Sequence, residues 1–469
     1  MYRWFVISIF CMSIFDDIQV FAQEKYCLKR EWPPRLYGVT DSVVNIEWGN
    51  RWRQFREERE EERILEGFNP KRVQLRYQLS EEELKKGCVS LEELIDLGRG
   101  IFMRKWSRVE GYGHGYENRK AYLRFQRGDR GPDASACEDC HWKGGFAGGG
   151  DRVDQSYLEG DGDLIALHES RNPPVLWGLG WVELLAKEMS AELKNQAEQL
   201  KQKAINTKQA QWVELMVQGI SFGKLKADGD IRSFVLVSLQ KHFSLEAQEL
   251  VGGLDKDQDG VVSEISSGQV SALVAFLATM DVPQIEIPTE GVYQHIEQIG
   301  DVEYVQSPEL TWRWQEGRQL FEEIGCSGCH QPFLRLRSSI YKVDEWTTID
   351  LSKQGAKPIP QREGDFYLVP VFSDFKRHKM GQKLKSKGSE MGIDAESYLT
   401  RRLWGLSQSA PYLHLGEALT FDEAIEAHMS EGSEALFAGE HFFSLKEDQK
   451  SSLRVFLQSL RRSASIRVR

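Results

Sequence analysis

The chain has 469 residues, enough for two to four domains of ordinary size and for a sizeable core without disulfide stapling. With 41% hydrophobic and 28% charged residues it is neither collagenous nor wholly disordered. A net charge of -11 argues against a general nucleic-acid binder, which needs a broad basic face to displace counterions.

In chain order, residues 1–22 read as a signal peptide: Arg3 supplies the positive start, Trp4 to Phe15 the apolar run, and Val20-Phe21-Ala22 a small-residue cleavage site. The run is too short to span a bilayer, and no later stretch is apolar for the ~18 residues a spanning helix needs, so the mature chain is expected to lack a transmembrane segment. Arg51 to Glu66 mixes Arg and Glu densely, as a solvated helix does. Helix starts follow at Ser80 and at Ser90, the latter leading into Leu91, Leu94, Ile95 and Leu97. Asp133 to Asp163 is Gly-rich and reads as a loop. Helical periodicity returns over Val182–Val217, Ile231–Leu250 and Ile265–Met280, and again over Trp312–Ile324 and from Thr420. Tyr367 to Phe372 is the best strand pattern, so the fold class is mainly α.

Six cysteines remain after the leader, and four form Cys137-Glu-Asp-Cys140-His141 and Cys326-Ser-Gly-Cys329-His330. Two thiols three positions apart can add to the two vinyl groups of one porphyrin while the adjacent His lies beneath the iron, so each string is a covalent c-type haem site. A zinc ribbon pairs its knuckles across ~15–20 residues, far closer than these, and a thioredoxin-type site does not call for His after both copies. Cys27 and Cys88 are left as a disulfide or as two free thiols. The expected division is a leader over 1–22, a helical, charged extension over 23–90, a first haem domain over 91–230, a helical insert with linker over 231–310, and a second haem domain over 311–469. Two units with one grammar, helix then haem motif then loop, suggest an internal duplication.

In the insert, Asp255, Asp257, Asp259 and Gly260 match positions of a calcium loop. Its last ligand position is Ser266, with Glu264 two residues earlier as a substitute, so the choice is calcium or an Asp-rich turn. Among the histidines, His428 or its neighbour Met429 is the candidate second ligand at His330, and His168 or His242 the candidate at His141. His378 and His414 are candidates for tuning groups near the second haem.

These motifs, with Arg171-Asn-Pro-Pro-Val-Leu-Trp-Gly-Leu-Gly180, Ser373-Asp-Phe-Lys-Arg-His-Lys-Met-Gly381, Leu403-Trp-Gly-Leu406 and Ala410-Pro-Tyr-Leu-His-Leu-Gly-Glu-Ala418, resemble the bacterial di-haem cytochrome c peroxidase superfamily, and within it the di-haem oxidoreductase branch. The resemblance covers about Leu97 to Glu434. It implies two cytochrome c-like domains with long loops, exchange of electrons with a small redox protein or a quinol-linked donor or acceptor, and a small-molecule substrate. It implies that Glu183 stands where the peroxidases carry a proton-shuttling acid, and that the first haem of some relatives sheds its sixth ligand when the second is reduced. The chain departs from the peroxidase pattern at His428, which stands where those enzymes carry Met, at Leu415, where they carry Asp, and at Lys379, where the oxidoreductase branch carries Asp.

Two functions follow. One is a periplasmic di-haem oxidoreductase acting on peroxide or a related small substrate at an open iron. The other is an electron-transfer cytochrome with both irons six-coordinate and no substrate chemistry.

Overall fold

A computed structural model describes residues 78–106, 110–113, 134–151, 156–158, 168–207, 215–218, 220–221, 230–256, 260–285, 294–298, 301–304, 308–388 and 393–462. The leader, the charged stretch at 51–66, Cys27, Asp257 and Asp259 lie outside them. Cys88 is disulfide-bonded, and its partner also lies outside. No described helix is long and apolar enough to cross a membrane.

Helices dominate, as the periodicity requires. They are α1 (Glu81–Lys85), α2 (Leu91–Met103), α3 (Leu179–Thr207), α4 (Ile231–Phe243), α5 (Gln248–Val251) and α6 (Ser267–Ala278), then α7 (Pro308–Glu323), α8 (Leu351–Gln354), α9 (Phe421–Ala427), α10 (Leu436–Ser444) and α11 (Glu447–Gln458). Among the described residues, sheet is limited to short antiparallel ladders, the widest ordering Gln361–Glu363, Phe366–Val369 and Leu334–Leu336. The helix starts read at Ser80, Ser90 and Thr420 are capping boxes. Each hydroxyl accepts from the backbone N–H three residues on, and Glu83, Glu93 or Glu423 reaches back to the cap's own N–H.

Two hydrophobic cores are built on the same crossing. In the first, α2 lies so close to α6 that a Cβ on Gly98 would stand 1.9 Å from the Ala272 carbonyl oxygen. Four residues beyond each contact, Phe102 and Phe276 meet with ring centroids 5.4 Å apart. In the second, a Cβ on Gly317 of α7 would stand 2.0 Å from the Ser452 carbonyl oxygen of α11, and Phe321 meets Phe456 at 5.3 Å. One pattern, Gly-x-x-x-Phe on a small residue-x-x-x-Phe, thus recurs. It corrects one expectation. Helix α6, assigned by sequence to an insert, carries no charged residue, is buried on all sides and completes the first core. The boundary at 230/231 therefore cuts through that core, because a helix's partner is not encoded in its own periodicity.

Candidate functional site

Both Cys-x-x-Cys-His strings fold as a single 3-10 turn, Cys137–Asp139 and Cys326–Gly328, and all four cysteines are free thiols. Burial pushes Cys137 and Cys326 up to about 12. Neither is a thiolate at neutral pH, which disfavours a thiol-disulfide role.

The two histidines are held alike. His141 Nδ1 lies 3.0 Å from the Pro174 carbonyl oxygen and His330 Nδ1 lies 3.0 Å from that of Phe372. A ring that donates through Nδ1 leaves Nε2 as the free ligand atom. Burial drives both down to about 4; the carbonyls work against it, and a second imidazole adds to it, His242 at His141 and His428 at His330. The neutral form they keep is the one that binds iron. His242 lies in the last turn of α4, and its carbonyl accepts from Ala134 N–H, three residues before Cys137. His428 follows α9 and its Nδ1 lies 2.7 Å from the Ala424 carbonyl oxygen. The structure thus brings together His141 with His242 and His330 with His428. For His168 only the backbone is described, in a strand paired with Ser156–Leu158.

Glu183 is not a free acid. Its Oε2 accepts from Ile231 N–H at 3.0 Å and from the Tyr341 hydroxyl at 2.6 Å, while Oε1 pairs with Lys187. Both oxygens are committed to partners within the protein. Tyr341 lies 158 residues away in sequence, beyond any local signal. In the acidic turn, Asp255 Oδ2 accepts from Gly260 N–H at 3.0 Å. Glu264 is buried with its Oε2 on Glu246 N–H at 2.6 Å, acting as a backbone clasp.

Between the units, two tryptophans interlock. A Cβ on Gly405 would lie 2.3 Å from the Trp177 ring, and one on Gly178 would lie 2.6 Å from the Trp404 ring. Trp177 donates to the Phe146 carbonyl at 2.8 Å and Trp404 to that of Pro370 at 2.6 Å. The signal was present in the sequence: Leu176-Trp-Gly-Leu179 and Leu403-Trp-Gly-Leu406 are the same four residues. Arg462 fastens the junction, forking Asp281 at 2.8 and 2.5 Å and stacking over Trp177 at 4.9 Å. Trp181 instead packs on Tyr367 in the first core.

Arg171, Arg401 and Arg402 converge beside these tryptophans. Burial lowers Arg401, with Arg171 adding to it; burial also takes Arg402 down to about 9, with Arg401 adding to it. The Arg401 side chain is nonetheless exposed at the surface. Arg402 Nε is buried with no hydrogen-bond partner.

Residues 311–460 match the family model described as "Di-haem oxidoreductase, putative peroxidase". The match lies wholly within the segment that carries the second Cys-x-x-Cys-His string. No curated protein matches it. Among solved structures it is similar to a MauG-like protein associated with microbial copper homeostasis, at 17% identity over 79% of this chain and 89% of that one, TM-score 0.34. It is also similar to hydrazine synthase of Kuenenia stuttgartiensis, at 13% identity over 79% of this chain and 93% of that one, TM-score 0.30.

The residues of the two motifs and their surroundings fit two haems. Each unit offers a thiol pair and a neutral, oriented imidazole. The arginine cluster, with like charges facing one another and a buried Nε unsatisfied, fits the carboxylates that a haem carries. Beside the second motif, Cys329, Asp374 and His378 come within 4.8 Å of one another. With Cys329 bonded to porphyrin, what remains is a brace: His378 Nε2 lies 2.8 Å from Asp374 and Nδ1 2.7 Å from Glu434.

That brace has a pH signature. In the haem-free chain, Asp374 first, then the free Cys329 thiol and Glu434, outweigh burial and push His378 up to about 10. A raised folded-state value means that its contribution is complete below about pH 6.5 and is lost as pH rises through about 10. Chemical denaturation across this window is expected to show wild-type stability falling relative to His378→Gln. At neutral pH that variant is expected to be roughly 1.5–3 kcal/mol less stable, the worth of hydrogen bonds to charged groups.

Proposed function

We propose that the chain is a periplasmic di-haem c-type electron-transfer oxidoreductase, with cytochrome c-like units that each bind one haem through the two cysteines and a histidine pair. The pairs are His141 with His242 and His330 with His428. The carrying observation is that both Cys-x-x-Cys-His strings fold as the same turn, each with the motif histidine's Nδ1 3.0 Å from a backbone carbonyl oxygen. Bound haem supplies one-electron chemistry there. The chain's own residues hold the rings in ligand tautomers, exclude water and set the distance between the units. Trp177 and Trp404 interlock three residues after Pro174 and Arg401, whose backbones meet His141 and His330, so they are assigned the electron path between the two motifs.

The six-coordinate reading is preferred to peroxide turnover at an open iron, because Glu183 has no free oxygen with which to move a proton. The leader supports a periplasmic address, and a small redox protein is the proposed partner.

Periplasmic expression with haem maturation, followed by a haem stain of a denaturing gel and a redox titration read by absorption and electron paramagnetic resonance, tests this. The expected result is two covalent haems per chain, both low-spin and indifferent to peroxide. A high-spin signal with a peroxide-dependent change would replace the relay by a peroxidase, and an unstained band would remove both.

A further inference from the structure

The helix that carries His242 is fastened at both ends. At its start, Asp230 Oδ1 accepts from Ser233 N–H at 2.7 Å, and the buried Glu183 carboxylate accepts from Ile231 N–H while also holding the Tyr341 hydroxyl. The next residue, Arg232, forks Glu249 at 2.9 and 2.5 Å and donates to the Ser271 hydroxyl of α6 at 3.1 Å. Along its length Ile231, Val235, Leu239 and Phe243 recur every four residues and are buried in the first core. At its end the carbonyls of His242 and Phe243 accept from Ala134 and Gly113 N–H, so the helix is tied to the segment that leads into Cys137. A ligand on a mobile loop can swing away. One on a helix fixed at both termini moves only if a core and several buried hydrogen bonds give way with it.

We propose that Glu183 and Arg232 are positioning residues that lock α4, so that His242 stays over His141 in every redox state of the protein and the first haem never opens to a small molecule. This rests on the reading of His141 and His242 as a pair on one iron. It assigns the buried Glu183 a role through α4. Tyr341 and Val343, which lie on the segment after the second haem motif, receive the other ends of the lock, since Arg232 also reaches the Val343 carbonyl at 3.5 Å. The first haem's ligand helix is therefore braced against the segment after the second haem motif, whose Tyr341 and Val343 are buried in the first core.

The test uses the full haem-loaded chain, with cyanide as the probe. In the wild type, half-reduction of the protein is expected to leave the first haem low-spin, with cyanide binding slowly. Glu183→Ala is expected to speed cyanide binding at the first haem by about 10- to 100-fold, the usual weight of groups that orient a ligand, and to bring in a high-spin fraction. Glu183→Gln, whose amide oxygen still accepts from Ile231, is expected to restore most of the wild-type behaviour. Tyr341→Phe and Arg232→Gln serve where Glu183→Ala does not fold, and are expected to move the rate in the same direction. A high-spin first haem on half-reduction of the wild type would overturn the lock, and so would cyanide rates unchanged in every variant that folds. Failure of the underlying pairing shows differently: His242→Met would then leave the oxidised spectrum of the wild-type chain as it was.

Discussion

Gly98→Ala and Gly317→Ala are each expected to destabilise the protein by about 2–3 kcal/mol, a large part of the ~5–15 kcal/mol that holds a domain folded. An alanine in a helix ordinarily gains about 1 kcal/mol over glycine, so the expected sign is the reverse of the propensity scale. The reason is backbone. The added methyl would meet the carbonyl oxygen of Ala272 in one unit and of Ser452 in the other, at 1.9 and 2.0 Å, and neither can rotate aside as a side chain does. Relief requires α2 to lift off α6, or α7 off α11. The lift also strains the phenylalanine contact one turn along, and Phe102 lies 6.4 Å from the His141 ring. Gly98→Ala is therefore expected to broaden the absorption of the first haem, leaving the second unchanged, and Gly317→Ala to lower stability by a similar amount. Denaturation midpoints with visible spectra of the same samples measure both. A neutral effect at either position would mean that the crossing is looser than its geometry.

The sequence was most informative where structure is local. The caps at Ser80, Ser90 and Thr420 are read correctly because a capping box closes within four residues. The two haem motifs stand out for the same reason, since thiols and imidazole must be adjacent to serve one porphyrin. What stayed hidden depends on distant partners. Helix α6 reads as an insert until Gly98 is seen against it, and nothing near Glu183 in sequence shows that Ile231 and Tyr341 close on it. The strand read over Tyr367 to Phe372 ends at Val369, and Phe372 turns to φ +47, placing its carbonyl on His330. Alternation alone carries no sign that a backbone acceptor is needed there. In the basic stretch from Lys376 to Lys387, Lys379, Lys383 and Lys385 are paired with Asp394, Glu426 and Glu396. Carboxylates brought from elsewhere in the chain offset its charge.

His428→Met is expected to raise the midpoint potential of the second haem by on the order of 100 mV or more, within the ~0.8 V that axial ligands command, and to leave the first haem where it was. An imidazole nitrogen stabilises ferric iron better than a thioether sulfur does, so the exchange favours the reduced form. The geometry selects His428 over its neighbour. His428 follows the last turn of α9 with Nδ1 on the Ala424 carbonyl, and α9 is held by the Arg454 fork on Asp422 at 2.9 and 2.6 Å. Met429 points the other way, so close to α10 that a Cβ on Gly439 would lie 2.3 Å from its Cγ. Met429→Leu is accordingly expected to leave the potential unchanged and to cost less than about 1.5 kcal/mol in stability, as volume-conserving core changes do. Protein-film voltammetry of the two variants beside the wild type separates the cases. A shift only in His428→Met assigns the ligand. A shift only in Met429→Leu would transfer the role to the thioether and place the second haem at the higher potential of a His-Met pair, so that electrons would tend to come to rest there instead of passing on.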